Sequence, residues 1–219
     1  MLLLDRADLG YGPIPVLTGV TLAVRPGERV VLLGRSGAGK STLLVAARRA
    51  LLERGQRVAL VPQDHALVPQ LSALRNVLMG RLDDHGALRN LATLIRPRRA
   101  ERRAALAVLD RVGLGPWADR TVESLSGGQR QRVALGRALY RGGAVLVADE
   151  PLSAVDPRQA GDLAQALEQA FPTAILALHD VGIALRFATR VIGLSGGTVA
   201  LDAPAADLDA AAIGTLYAD

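Results

Sequence analysis

The segment Gly34-Arg35-Ser36-Gly37-Ala38-Gly39-Lys40-Ser41 fits the phosphate-binding pattern G-x-x-x-x-G-K-[ST] at every fixed position. Glycines in such a loop let backbone N–H groups turn inward on phosphate oxygens. A helix opening at Ser41 and Thr42 would add the positive end of its dipole. Of 26 Lys and Arg residues, Lys40 is the one lysine. A compact ammonium on a flexible stem suits a tight phosphate cradle, which a planar guanidinium fork does not. The chemistry expected is nucleotide phosphate binding: Lys40 on the β- and γ-phosphates, the Ser41 hydroxyl on Mg2+.

A second pair of reactive residues, Asp149-Glu150, follows the apolar run Ala144–Ala148. One carboxylate at a strand end can serve Mg2+, and its neighbour can orient or deprotonate an attacking water. A polar strand end is the plainer reading of such a pair; beside a phosphate-binding loop the catalytic one gains weight.

These residues need rigid elements behind them. Val30–Leu33 reads as a short buried strand running into Gly34, and Ser41–Glu53 as a helix stopped by Gly55. Further strands are expected at Val16–Val24, Arg57–Val61, Ala144–Ala148 and Ala174–Leu178, with a hairpin over 191–201 around Ser195-Gly196-Gly197. Between Pro69 and Leu114 the apolar spacing turns helical, with pieces at Leu71–Leu82 and Ala100–Val112 separated at Pro97. Gln129–Tyr140 and Gln159–Gln169 read as helices too. Strands alternating with helices imply an α/β fold with a mostly parallel sheet. The expected organisation is one domain over 1–219 with a helical subdomain near 65–140.

The 219 residues are 50% hydrophobic with no cysteine, which excludes disulfides and thiolate metal sites. No apolar run reaches the ~18 residues of a bilayer span. The start Met1-Leu2-Leu3-Leu4-Asp5 lacks the basic stretch of a signal peptide. A net charge of +5 invites a nucleic-acid reading. Scattered arginines and 3% aromatics argue against it. The densest basic cluster, Arg96, Arg98, Arg99, Arg102 and Arg103, reads as a solvated helix start, with acidic lipid headgroups or a partner protein as the alternative. His65 and His85 read as solvated loop histidines, and Trp117 as packing within the helical part.

Leu125-Ser126-Gly127-Gly128-Gln129 ends 20 residues before Asp149 (149 − 129). With it the chain resembles the ATP-binding cassette (ABC) ATPases, whose signature is this pentapeptide. Gln63 matches the family's Q-loop, Ser153-Ala154-Val155-Asp156 its D-loop and His179 its switch histidine. Tyr11, 23 residues before Gly34 (34 − 11), stands where the family stacks an aromatic on adenine. The resemblance covers nearly the whole chain. It implies a P-loop NTPase fold of the ABC type and hydrolysis of ATP with Mg2+ held by Ser41, Gln63 and Asp149. Lys40 would neutralise phosphate charge, Glu150 act on the water, and His179 contact the γ-phosphate. Ser126, Gly127, Gly128 and Gln129 would contact the γ-phosphate held by a second copy, with Asp156 at the seam of that homodimer.

Two departures from the family stand out. Only 23 residues separate Lys40 from Gln63 (63 − 40), so a common β-hairpin is missing and the antiparallel β part is expected to be reduced. Val155 replaces a common leucine. A single cassette without fused spans implies a separate subunit beneath integral-membrane permease chains. It would lie cytoplasmic and peripheral on the inner face of the membrane, served indirectly by a substrate-binding protein. Gln63–Val68, Leu71–Leu82, Leu94–Pro97 and the ending Leu208-Asp209 to Leu216-Tyr217 look like the phosphonate-importer ATPases. An importer for another small solute, or an ABC ATPase acting on nucleic acid or ribosomes, remain the alternatives. A small-molecule kinase leaves the pentapeptide unexplained.

Overall fold

The computed structural model describes residues 1–214 and 216–217; Thr215, inside the C-terminal stretch noted above, lies outside them. The chain divides into two compact units, residues 1–60, 143–153 and 171–219, and residues 61–142 with 154–170.

The first unit carries two sheets. Strands β1 (Leu2–Gly10) and β2 (Pro15–Ala23) pair antiparallel as a two-stranded sheet. The antiparallel part is therefore reduced, as the short Lys40–Gln63 spacing implies. The main sheet adds β3 (Arg29–Leu33), β4 (Val58–Val61), β5 (Val145–Asp149), β6 (Thr173–Ala177), β7 (Arg190–Ser195) and β8 (Thr198–Pro204). Its order is β4-β5-β6-β3-β7-β8. Strand β3 runs parallel to β6 and β7, β5 runs parallel to β6, and β7–β8 is an antiparallel hairpin. The central strands are apolar on both faces because both faces are covered, the usual condition of a parallel sheet. Helix α1 (Lys40–Glu53) buries Leu43, Leu44, Ala47 and Leu51 in one core with Leu17, Leu32, Val147 and Ile175.

The second unit is mainly helical: α2 (Ala73–Leu78), α3 (Ala87–Ile95), α4 (Arg99–Arg111), α5 (Gly127–Arg141) and α6 (Pro157–Ala170). A 3-10 segment, Met79–Asp84, follows α2. Val77, Val108 and Val112 crowd the position where a side chain on Gly136 would sit, so that glycine lets α5 approach α2 and α4 closely. Arg111 ties α4 to α6 through the Ala166 carbonyl and the Gln169 amide oxygen, at 3.2 and 3.0 Å. Two further helices, α7 (Val181–Phe187) and α8 (Ala210–Gly214), belong to the first unit.

Candidate nucleotide site

The phosphate loop leaves β3 at Gly34. That residue has φ +146, and a Cβ there would lie 2.5 Å from the Leu194 carbonyl oxygen, so only glycine fits. Its N–H donates to the Tyr217 hydroxyl at 3.3 Å, a support from the far end of the chain that no motif announces. Gly39, at φ +95, is the N-cap of α1 and offers no side-chain cap. The first turn of α1 also contains no acidic residue. By contrast, α2, α5 and α7 are each capped by a side chain, from Ser72, Ser126 and Asp180. An N-terminus left without a cap, opening from a glycine loop, is suited to an anion.

Lys40 is 6% exposed, and its Nζ donates to the carbonyls of Gly34 and Arg35 at 2.7 and 3.0 Å. Burial pulls its pKa down, while the charges of Glu150 and then Asp149 pull it up. A buried ammonium already held near two carboxylates is positioned to meet a polyphosphate. Phosphate charge favours the protonated form that burial disfavours.

Strand order brings the remaining chemistry to the same edge. Asp149 is in register with Ala177 of β6, which in turn is in register with Leu32 of β3. Glu150 follows in a left-handed backbone (φ +50), its N–H donating to the Ala177 carbonyl at 3.0 Å. Such a conformation is costly for a non-glycine residue and is held here by that bond and by Ser153, whose N–H and hydroxyl donate to the Glu150 carbonyl. The Glu150 Oε1 then lies 2.6 Å from His179 Nε2. Loop, ammonium, two carboxylates and imidazole thus converge at the carboxyl ends of adjacent parallel strands, where open α/β sheets bind ligands.

Tyr11, in the turn after β1, is 71% exposed and shares a groove of about 470 Å3 with Thr42, Val45 and Arg49. An aromatic face open to that groove is available for stacking. Magnesium's preference for few carboxylates plus substrate phosphates suits Asp149 and exposed Ser41. No cluster of three or more His, Cys, Asp or Glu among the described residues forms an all-protein cage.

The pentapeptide lies in the second unit. Ser126 caps α5: its Oγ accepts from the Gln129 N–H at 3.3 Å, and the Gln129 Oε1 accepts from the Ser126 N–H at 2.9 Å. This reciprocal capping box gives Gln129 a local structural task and leaves the Ser126 hydroxyl proton free to donate outward. A Cβ on Gly128 would lie 2.5 Å from the Ala154 carbonyl oxygen, so this glycine permits the close approach of 154–156. Fully buried Gln131 accepts from the Ala154 N–H at 2.7 Å and fixes that approach. Asp156 accepts from the Arg158 N–H at 2.9 Å at the start of α6. Gln63 is exposed, in the turn after β4. Asn76, Gln131 and Arg137 organise these loops and carry no recognisable motif. Arg137 donates to the carbonyls of His65 and Ala66 at 2.5 Å each, holding two residues whose φ is positive. The expectation of a solvated His65 is corrected: Nδ1 is buried without a hydrogen-bond partner, and burial lowers the pKa of the ring.

The family model described as ABC transporter matches residues 17–153. A phosphonates import ATP-binding protein of Anaeromyxobacter dehalogenans is 41% identical over 99% of this chain, which spans 48% of that relative's length. A phosphite import ATP-binding protein of Stutzerimonas stutzeri is 40% identical over 100% of the chain and 87% of its own. Among solved structures, the dimeric MJ0796, a bacterial ABC transporter cassette, superposes with a TM-score of 0.81 at 28% identity, covering 94% of this chain and 99% of the other. The matched residues 17–153 and the 40–41% identity to both import ATP-binding relatives agree with the glycine loop and LSGGQ helix described above, and the chain belongs to the ABC transporter family.

Proposed function

We propose that the chain is the ATP-hydrolysing subunit of an importer for phosphonate or a related phosphorus oxyanion. The observation that carries the hydrolytic part is the convergence of Lys40, Asp149, Glu150 and His179 beside an uncapped helix N-terminus. The loop and helix start from Gly34 to Thr42, through inward-turned backbone amides and the Lys40 ammonium, receive the ATP phosphates. Tyr11 stacks on adenine. Ser41, Asp149 and Gln63 would hold Mg2+, which would supply charge neutralisation for the ATP phosphates. Glu150 holds the attacking water and takes its proton. His179, now on Glu150, turns its imidazole to the γ-phosphate when ATP arrives, which frees the carboxylate for the water.

The second unit supplies the other half of a shared site. Ser126, Gly127 and Gly128 at the start of α5 meet the γ-phosphate bound by a second copy, and Asp156 lies at the seam. Two chains and two ATP therefore close together, and hydrolysis removes the contact that holds them shut. The two units act as one ATPase domain over 1–219, with residues 65–140 as its helical subdomain. The phosphorus substrate is supported by the similarity to proteins named for phosphonate and phosphite import. It implies permease chains in the membrane, a separate substrate-binding protein, and a location on the inner membrane face. No helix among the described residues is long and apolar enough to cross a bilayer.

The test is Glu150→Gln with ATP, followed by size-exclusion chromatography with light scattering. A stable nucleotide-bound dimer is expected; a monomer at saturating ATP refutes the reading. For the substrate, deletion in the source cell should abolish growth on phosphonate or phosphite as sole phosphorus source. Unchanged growth on both rejects that assignment while leaving the ATPase reading intact.

A further inference from the structure

Helix α3 presents an apolar face that no described residue covers. Leu88, Leu91 and Ile95 are 87%, 58% and 67% exposed. Steps of three and four place them in one stripe along the helix. Asn90 is half-buried on the other side, its amide donating to the Leu82 and His85 carbonyls at 2.8 and 3.0 Å. The helix is thus anchored inward through Asn90 and half-buried Leu94, yet shows three of its four large aliphatic side chains outward.

Cations cluster at the Ile95 end of that ridge. Arg96, Arg98, Arg99, Arg102 and Arg103 are all exposed. Among the described residues only Arg102 of the five makes an ion pair, at 3.6 Å from Asp119. A groove of about 420 Å3 opens beside Ile95, lined by Arg75, Arg96 and Arg102 with Ser72 and Asp119. It offers room and donors for a phosphate.

We propose that this face of the helical unit docks on an anionic membrane surface. Leu88, Leu91 and Ile95 enter the boundary between headgroups and acyl chains, and the arginines pair with lipid phosphates. Charge complementarity selects the occupant. An apolar ridge with exposed guanidiniums at one end, four of the five in no ion pair among the described residues, matches a dense layer of phosphates over hydrocarbon, and arginine takes phosphate oxygens two at a time. A second copy of the chain is disfavoured, since it would set one arginine cluster against another.

The test uses the full chain with vesicles of phosphatidylcholine alone and of phosphatidylcholine mixed equally with phosphatidylglycerol. Binding is expected to the mixed vesicles only, weakening as salt rises. The triple variant L88S/L91S/I95S keeps every charge and is expected to bind at least about tenfold more weakly through lost apolar burial. Replacing Arg96, Arg98, Arg99 and Arg103 by glutamine is expected to weaken binding by about fivefold per arginine. The chain has no cysteine, so Leu91→Cys labelled with a polarity-sensitive dye reports insertion at one position. A blue shift on mixed vesicles is expected. The altered residues are exposed and outside the nucleotide site, so melting temperature and ATP hydrolysis verify folding. Triple-serine binding equal to wild type would mean that diffuse net charge drives adsorption and would overturn the proposal. So would a dye without a shift, or retention by a detergent-solubilised permease with no binding to vesicles.

Discussion

Lys40→Arg keeps the charge and is nevertheless expected to disable the ATPase. The Lys40 ammonium is 6% exposed and satisfies two carbonyls of its own loop, at 2.7 and 3.0 Å. Arginine must fit a longer, planar group with five N–H donors into the same space. Overpacking of that kind costs about 1–3 kcal/mol. For a chain of this size, at about 2–4 °C per kcal/mol, the melting temperature is expected to fall by about 2–12 °C, with the fold intact. The effect on turnover is larger, because displacing a reacting group by about 1 Å costs on the order of 100-fold in rate. The assay is steady-state phosphate release at saturating ATP, beside thermal melts with and without ATP. The variant is expected to keep a cooperative melt and lose about two orders of magnitude in turnover. Turnover within about threefold of wild type would refute the argument that this cradle requires an ammonium.

Gly128→Ala drives a methyl group toward the Ala154 carbonyl and is expected to abolish the ATP-trapped dimer when combined with Glu150→Gln, while a fluorescent ATP analogue still binds the monomer. A dimer of undiminished yield in light scattering would count against a role for that close approach. Gln131→Ala leaves the Ala154 N–H without its acceptor and is expected to destabilise by about 1–3 kcal/mol, read by denaturant unfolding. Asn76, fully buried, accepts from the Val68 N–H at 2.8 Å and donates to the carbonyls of Val68, Leu71 and Ser72. Asn76→Ala is expected to cost about 3 kcal/mol and to speed hydrogen exchange across 68–72; unchanged exchange there would show that other contacts hold the segment.

Much of the fold was legible because its signals are local. The run Val30–Leu33 against Gly34 and the stop at Gly55 each depend on residues within a few positions. Strand β1 was not legible: its sequence, LLLDRADLG, does not alternate cleanly, and Arg6 sits at φ +44 amid shifts in register with β2. Helix α3 merged into a general helical stretch, and its outward aliphatic stripe is invisible without knowing which side of the helix the protein occupies. His65 looked like a solvated loop residue because the side chain that holds its backbone, Arg137, lies 72 residues further along the chain.

The sequence by itself determined two helix starts. A glycine-rich loop opening a helix, and a Ser126–Gln129 capping box opening another, form from neighbouring residues whatever the rest of the chain does. It also offered Lys40 through the loop pattern, Asp149 and Glu150 through their place at a strand end, and His179 through the resemblance to the family. Only the tertiary structure decided their relations. The order β5-β6-β3 sets Asp149 and Ala177 level with the end of the strand that feeds the loop, and so brings Glu150 to 2.6 Å from His179. It also decided that Lys40 is buried against its own carbonyls, and that Gln131 and Asn76 serve backbone groups. Those facts rest on sheet register and side-chain packing, which couple residues distant in the chain, and no spacing along the sequence encodes them.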